Sequence, residues 1–451
     1  RGLTRSSRLM QQLLPVLLGW LAETPDPDQG LLALRNLSGV AHQRDVVVAG
    51  FRDSPELARR LCIVLGTSRC LGELAQRHPA VALQVGDDRE LIPPAPDELL
   101  ELAIVAADGE RAERTSGGLR RLVGRETLRI AAADVLGIVT PEQTSAFLAR
   151  LGDAALAAAL RIVEPEVPYG IVAVGRLGGD ELSYGSDLDV LLVYDGSADG
   201  ASERADRATS ALFRLMNGTT PVDRIWTVDA SLRPEGKKGP LARSLGAYEE
   251  YHSRWIAAWE RQSLLRARPV AGDPAVLERF MALVGSTLSR RELSDEDVRE
   301  IRRLKARTER ERIPAGEDPQ FHLKLGKGSL ADIEWTVQLA QLRSGIASTR
   351  TLEALRELTA VGELDSGESQ VLEEAYRFLV ATRNRWHLVG NYVAVAGGLA
   401  GTAGADSLPQ SREGLSRLAR SLHELPAEVR EQYRRVTRRA RKVVERRFYG
   451  L

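Results

Sequence analysis

The chain has 451 residues, and Lys plus Arg balance Asp plus Glu at 62 each. A net charge of zero gives no overall field toward nucleic acid or an anionic membrane, so neither is expected as a partner and any charged partner is met by a local patch. Only Cys62 and Cys70 carry thiols, and no paired Cys or His stands at metal-ligand spacing, which excludes a disulfide framework and a structural zinc and points to the cytoplasm.

Length alone predicts roughly two to four domains. The first apolar run, Leu13 to Leu21, is too short to span a bilayer and lacks a small-residue cleavage site after it, so it reads as a core helix. From Thr4 to about Ala159 apolar residues recur at helical spacing, as in Leu57, Leu61, Val64 and Leu65. Strand-length apolar runs follow at Tyr169–Val174 and Val190–Tyr194, with a third expected over Arg224–Asp229 and a helix over Ser202–Met216 between the last two. Beyond about Asp273 helices return, expected at Val298–Arg312, Ser329–Leu342, Thr351–Val361, Val371–Val389 and Ala427–Phe448. The fold class is therefore α+β, a small mixed sheet between two large helical regions. Arg1 stands where a start Met would be, and a piece of a longer protein is expected.

The chemistry concentrates in Val174–Tyr194, VGRLGGDELSYGSDLDVLLVY. Residues i and i+2 of a strand share a side, so Asp187 and Asp189 project together from Cα atoms about 6.5 to 7 Å apart. Two anions so placed at the entrance to a buried strand repel unless a cation bridges them, and hard oxygen ligands select Mg²⁺ or Mn²⁺. The plainer alternative is one turn-capping aspartate and one solvated one. The glycines before the pair, Gly175, Gly178, Gly179 and Gly185, can bring backbone N–H groups against a phosphate, and Ser186 adds a hydroxyl. The G-x-G-x-x-G spacing is missing, no P-loop occurs anywhere, and Gly178–Leu182 matches the GGDEF signature over five residues only.

A site holding two metals asks for a third carboxylate, and Asp229 at the end of the third expected strand is the candidate. The turn after it carries Arg233, Lys237 and Lys238. It is either a salt-bridged surface or a triphosphate clamp.

Asp187 and Asp189 on one strand with a lone Asp229 on another resemble the polymerase β-like nucleotidyltransferase fold. A longer set of motifs narrows this: Gly175-Arg176-Leu177-Gly178-Gly179 through Asp189, then Val228-Asp229-x-x-Leu232-Arg233-Pro234, then Trp259-Glu260-x-Gln262, Ala267 to Asp273, and Lys324-Leu325-Gly326-x-Gly328-x-Leu330-x-Asp332-Ile333-Glu334. Together they resemble the glutamine synthetase adenylyltransferase family, whose members carry two nucleotidyltransferase halves. One half attaches AMP to a tyrosine of glutamine synthetase and the other removes it by phosphorolysis. The Val228–Gly236 block and the Arg-rich end of the chain resemble the C-terminal, adenylylating half. Ser329 departs from the pattern, standing where the family usually repeats glycine.

The resemblance implies a helical linker or regulatory domain over 1–120, a nucleotidyltransferase domain over 121–273 and a C-terminal helical bundle over 274–451. It implies ATP as substrate, glutamine synthetase as protein acceptor and a PII-type nitrogen signal protein as regulator. Asp187, Asp189 and Asp229 would be the catalytic metal ligands, Asp229 could also take the proton, and Gly175, Arg176, Gly178, Gly179, Gly185, Ser186 and Arg233 would contact the nucleotide. Other readings stay open: the deadenylylating half, phosphoryl rather than nucleotidyl transfer, and a degenerate nucleotide-sensing module. Lys324, Asp332 and Glu334 are read either as a capped helix, with Asp332 in its first turn and Glu334 solvated, or as a helix edge that closes over the nucleotide or contacts the protein substrate. The basic stretch Arg434–Arg447 reads as one face of an amphipathic helix, solvated or met by an acidic protein.

Overall fold

The computed structural model describes residues 5–39, 41–108, 112–289, 293–393 and 404–451. Thr4, the expected start of the helical region, lies outside them. From the Arg5–Ala22 helix to the Pro141–Val163 helix every element is helical, and Leu17 and Leu21 of the first are buried in the core, as a core helix requires. Among the described residues no helix is long and apolar enough to cross a membrane.

The Pro141–Val163 helix delivers the chain to the sheet. Its start is a capping box: Thr140 Oγ1 accepts from the Gln143 N–H at 3.3 Å while Gln143 Oε1 accepts from the Thr140 N–H at 2.8 Å, and Pro141 occupies the first turn, where no N–H is needed.

Five strands follow: β1 (Tyr169–Ala173), β2 (Leu188–Tyr194), β3 (Val228–Asp229), β4 (Ala242–Ser244) and β5 (Arg268–Gly272). β1 lies between β2 and β5, antiparallel to both. The other edge of β2 is shared, with β3 pairing parallel to its beginning and β4 parallel to its end. Both faces are covered, so β1 and β2 read as unbroken apolar runs rather than alternating ones. Ile171, Leu188, Val190 and Leu192 join the core of the N-terminal helices. Val172, Leu191 and Val193 pack under Leu245, Tyr248 and Phe280.

The expected strand over Arg224–Asp229 is cut to two residues because the Ile225 and Trp226 N–H groups both turn to the Met216 carbonyl, at 2.9 and 3.1 Å. β4 and β5 escape the sequence pattern: one has three residues, and the other is a half-exposed edge strand containing Pro269. The Ala112–Val135 helix passes unbroken through position 120, and one apolar core takes in residues from Leu17 to Ala242 together with Leu388 and Val393. The expected boundary at 120 therefore does not fall at a break in the fold.

After the Pro274–Ser289 helix the chain builds a second apolar core from the Leu330–Ser344, Thr351–Ala360, Ser366–Val389 and Pro426–Val444 helices. These helices match the sequence periodicity to within a few residues, the largest difference being a start at Ser366 instead of Val371.

Candidate active site

Leu188 is fully buried between the two aspartates. The Pro141–Val163 helix comes so close there that a Cβ on Gly152 would lie 2.8 Å from the Leu188 side chain. With Leu188 pinned inward, Asp187 and Asp189 share the opposite face, continuing the row of Leu191 and Val193 to the point where its apolar cover ends. Asp229 is the direct register partner of Asp189 across the β2–β3 pair. The three carboxylates thus meet at one corner of the sheet.

Each holds a different setting. The Asp229 carboxylate accepts from the Ser231 N–H at 2.6 Å and from its hydroxyl at 3.0 Å. Burial pushes the Asp189 carboxyl up to about 7; the Lys324 ammonium opposes this, the Asp229 and Asp187 charges add to it, and a hydrogen bond from the Arg176 N–H opposes it. Asp187 is raised as well, by burial and then by Asp229, against the field of Lys324. Among the described residues no three carboxylate, imidazole or thiol groups close into a metal cage. Asp187 and Asp189 are both pushed toward the protonated form by burial and by the Asp229 charge beside them, and a cluster of hard oxygen donors that repel in this way fits a divalent cation.

The glycines act by close packing. Gly175 has φ 57°, and a Cβ there would lie 2.3 Å from Asp189 Oδ2, so the carboxylate rests directly on its backbone. A Cβ on Gly178 would strike the Arg266 carbonyl at 1.8 Å. One on Gly179 would meet the Thr349 carbonyl, and one on Gly185 the ring of His387.

Three side chains expected on the nucleotide are already engaged within the protein. Arg176 is buried, with Nε donating to the Glu181 carbonyl at 2.8 Å and Nη1 to Glu334 Oε1 at 3.0 Å. Arg233 donates to the carbonyls of Ala230 at 2.7 Å, Gly239 at 3.0 Å and Lys237 at 3.3 Å, bracing the loop after Asp229. Ser186 Oγ turns inward to the Ser183 N–H at 3.1 Å. These hydrogen bonds brace the backbone around the carboxylates. Lys237 and Lys238 are exposed on the braced loop, and Lys324 makes no ion pair among the described residues while its field reaches both Asp187 and Asp189.

Of the motif Lys324–Glu334, then, Lys324 faces the carboxylates and Glu334 bonds Arg176. Asp332 is a buried anchor, paired with Lys305 and with Arg441 at 2.9 Å and capped by the Gly328 N–H at 2.6 Å. Sequence reasoning missed Glu181 and Arg266, a buried pair at 2.8 Å that also binds Thr351 of the C-terminal helices. Glu181 lay inside a quoted motif and Arg266 just before another, but nothing local told a buried network from solvated charge.

The glutamate-ammonia ligase adenylyltransferase family model matches residues 58–283, and that of the GlnD PII-uridylyltransferase matches residues 298–448. Bifunctional glutamine synthetase adenylyltransferase/adenylyl-removing enzymes are similar along the whole chain. That of Streptomyces avermitilis is 39% identical over 489 residues, covering 100% of this chain and 48% of the relative. Those of Mycobacterium marinum and Mycobacterium tuberculosis H37Rv are 39% and 38% identical, each covering 98% of this chain and 46% of the relative. The chain spans about half the length of the curated relatives it matches.

Proposed function

The chain belongs to the glutamate-ammonia ligase adenylyltransferase family, and on that premise we propose that it moves AMP from ATP to a tyrosine of glutamine synthetase, releasing pyrophosphate. The observation that carries the reading is the carboxylate corner, with Asp189 and Asp229 side by side on parallel strands and Asp187 one alternation before. Support for a polymerase β-like nucleotidyltransferase module comes from the same corner and from the Gly-rich turn that leads into β2.

A tyrosine hydroxyl has a pKa of about 10, so attack at neutral pH needs help in losing its proton. Its oxygen bonds to the α-phosphorus as the bond from that phosphorus to the bridging oxygen of pyrophosphate breaks. Asp187, Asp189 and Asp229 would hold a divalent cation, Mg²⁺ or Mn²⁺, which when bound lowers the hydroxyl pKa and neutralises phosphate charge. Asp229, oriented by Ser231, accepts the proton. Lys324, Lys237 and Lys238 are the cations for the triphosphate, while Gly175, Gly178, Gly179 and Gly185 set the backbone against it. Arg176, Ser186 and Arg233 keep that backbone in place.

The match of residues 298–448 to the PII-uridylyltransferase model supports a PII-type protein as regulator. We place residues 274–451 as a helical unit beside the nucleotidyltransferase module, since the two family models meet between 283 and 298. Two buried free thiols fit a cytoplasmic setting. The test is ATP labelled at the α or the γ position, incubated with this chain and glutamine synthetase. Label from the α position alone is expected on the acceptor, and γ label there would overturn the assignment. Release of AMP from adenylylated glutamine synthetase by phosphate, without forward transfer, would assign the removing half.

A further inference from the structure

The turn before Asp187 is held from a distance. Ser183 to Ser186 closes on itself, the Ser186 N–H donating to the Ser183 carbonyl at 2.9 Å. On one side Trp226 Nε1 donates to the Ser186 carbonyl at 2.9 Å. On the other, the Gly185 N–H donates to His387 Nδ1 at 3.1 Å, reaching 202 residues along the chain to the Ser366–Val389 helix. Nδ1 is then an acceptor, so the ring proton sits on Nε2, which faces Asp406 Oδ1 at 3.3 Å. Arg383 completes the clamp, its Nε donating to the same Asp406 oxygen at 2.6 Å and its Nη1 to Ser183 Oγ.

Asp406 serves a second arm. Its backbone carbonyl accepts from the Leu323 N–H at 2.7 Å, one residue before the lysine whose ammonium acts on Asp187 and Asp189. His387 is 1% exposed, and its polar partners are Gly185, Ser183 and Asp406. A buried histidine often serves packing alone. Here the ring instead seats the backbone two residues ahead of Asp187, and Gly185 has no side chain because that ring occupies its space, with Nδ1 at 3.0 Å from a would-be Cβ.

We infer that His387 is a positioning residue for the proposed nucleotidyl transfer: as a neutral imidazole held by Asp406, it accepts the Gly185 N–H and fixes the turn that delivers Asp187. The inference rests on the proposed function for its kinetic arm and stands apart from it in its structural arm.

The experiment compares His387→Asn, whose side-chain oxygen can take the place of Nδ1, with His387→Leu, which fills the space without an acceptor. In the full chain His387→Leu is expected to lower kcat for AMP transfer about a hundredfold with KM for ATP changed far less, since a small misplacement of a reacting group is costly. His387→Asn is expected to recover at least about tenfold of that loss. Independently of activity, amide hydrogen exchange over 183–187 should quicken about tenfold in His387→Leu and slow again in His387→Asn, as expected when a protecting bond is lost and restored.

Unchanged exchange together with kcat within about threefold of wild type in His387→Leu would overturn the inference, because loss of a needed positioning bond cannot be silent. If His387→Leu does not fold, His387→Gln, whose polar group lies one carbon further out, replaces it. Equal behaviour of Gln and Asn variants would then refute the acceptor role. A wild-type chain that transfers no AMP would sink the function proposed above, and the exchange comparison would still decide this one.

Discussion

Replacing Gly175 by alanine tests the packing of the site most directly. The residue has φ 57°, so an alanine there carries a left-handed backbone cost of about 1–2 kcal/mol. The new methyl would also stand 2.3 Å from Asp189 Oδ2, 2.9 Å from Cγ and 3.0 Å from Cβ. Ordinary contact begins near 3.4 Å, so the carboxylate and the Gly175 turn must part by about 1 Å, a displacement that costs about 10²-fold when it moves a reacting group. Gly175→Ala is therefore expected to lose AMP transfer about a hundredfold while unfolding only about 1–2 kcal/mol more easily in urea. Gly285→Ala is the control: it lies exposed in the Pro274–Ser289 helix with nothing within 4 Å of its would-be Cβ. That change should gain up to about 1 kcal/mol and leave transfer untouched. A Gly175→Ala protein that transfers AMP within about threefold of wild type would refute the claim that the carboxylate rests on that backbone.

Asp187→Asn and Asp189→Asn should each abolish transfer of α-labelled AMP. Asp189→Asn should melt no earlier than wild type in a metal-free thermal scan, because it removes a buried repelling charge. Asp332→Ala takes from buried Lys305 one of its two carboxylates, leaving Glu309, and should cost about 1–3 kcal/mol in urea unfolding. Burial, then Arg383, lowers His387 to about 4, against about 6.5 in the unfolded chain. The unfolded state binds the extra proton between those values, so stability falls as pH drops below about 6.5, by about 2 kcal/mol between pH 7 and pH 5, and denaturation at the two pH values should show this component missing in His387→Asn. Burial pushes the Cys62 and Cys70 thiols up to about 12. Both should resist a thiol-specific disulfide reagent at pH 8 until denaturant is added.

The helices and the two central strands were legible because each carries one consistent period or one apolar run, and the carboxylates because Asp187 and Asp189 break such a run at its start. The third carboxylate followed from chemistry, since its strand is only Val228–Asp229 and has almost no pattern of its own. What stayed hidden was long-range. Arg176, Ser186 and Arg233 have the residue types of a phosphate site, and only the fold shows that Glu334, Ser183 and the loop carbonyls already use them. The glycines likewise read as phosphate-approaching, and only the fold adds that a Cβ on Gly178 or Gly185 would strike Arg266 or His387, far away in the chain.

Because the turn ahead of Asp187 is fastened by a histidine 202 residues downstream and Arg176 by a glutamate 158 residues downstream, the site has a birth order. At about 5–20 residues per second on the ribosome, some ten to forty seconds separate the emergence of Gly185 from that of His387. During that interval the loop has only its nearer fastening, from Trp226, and waits for those that the C-terminal helices bring.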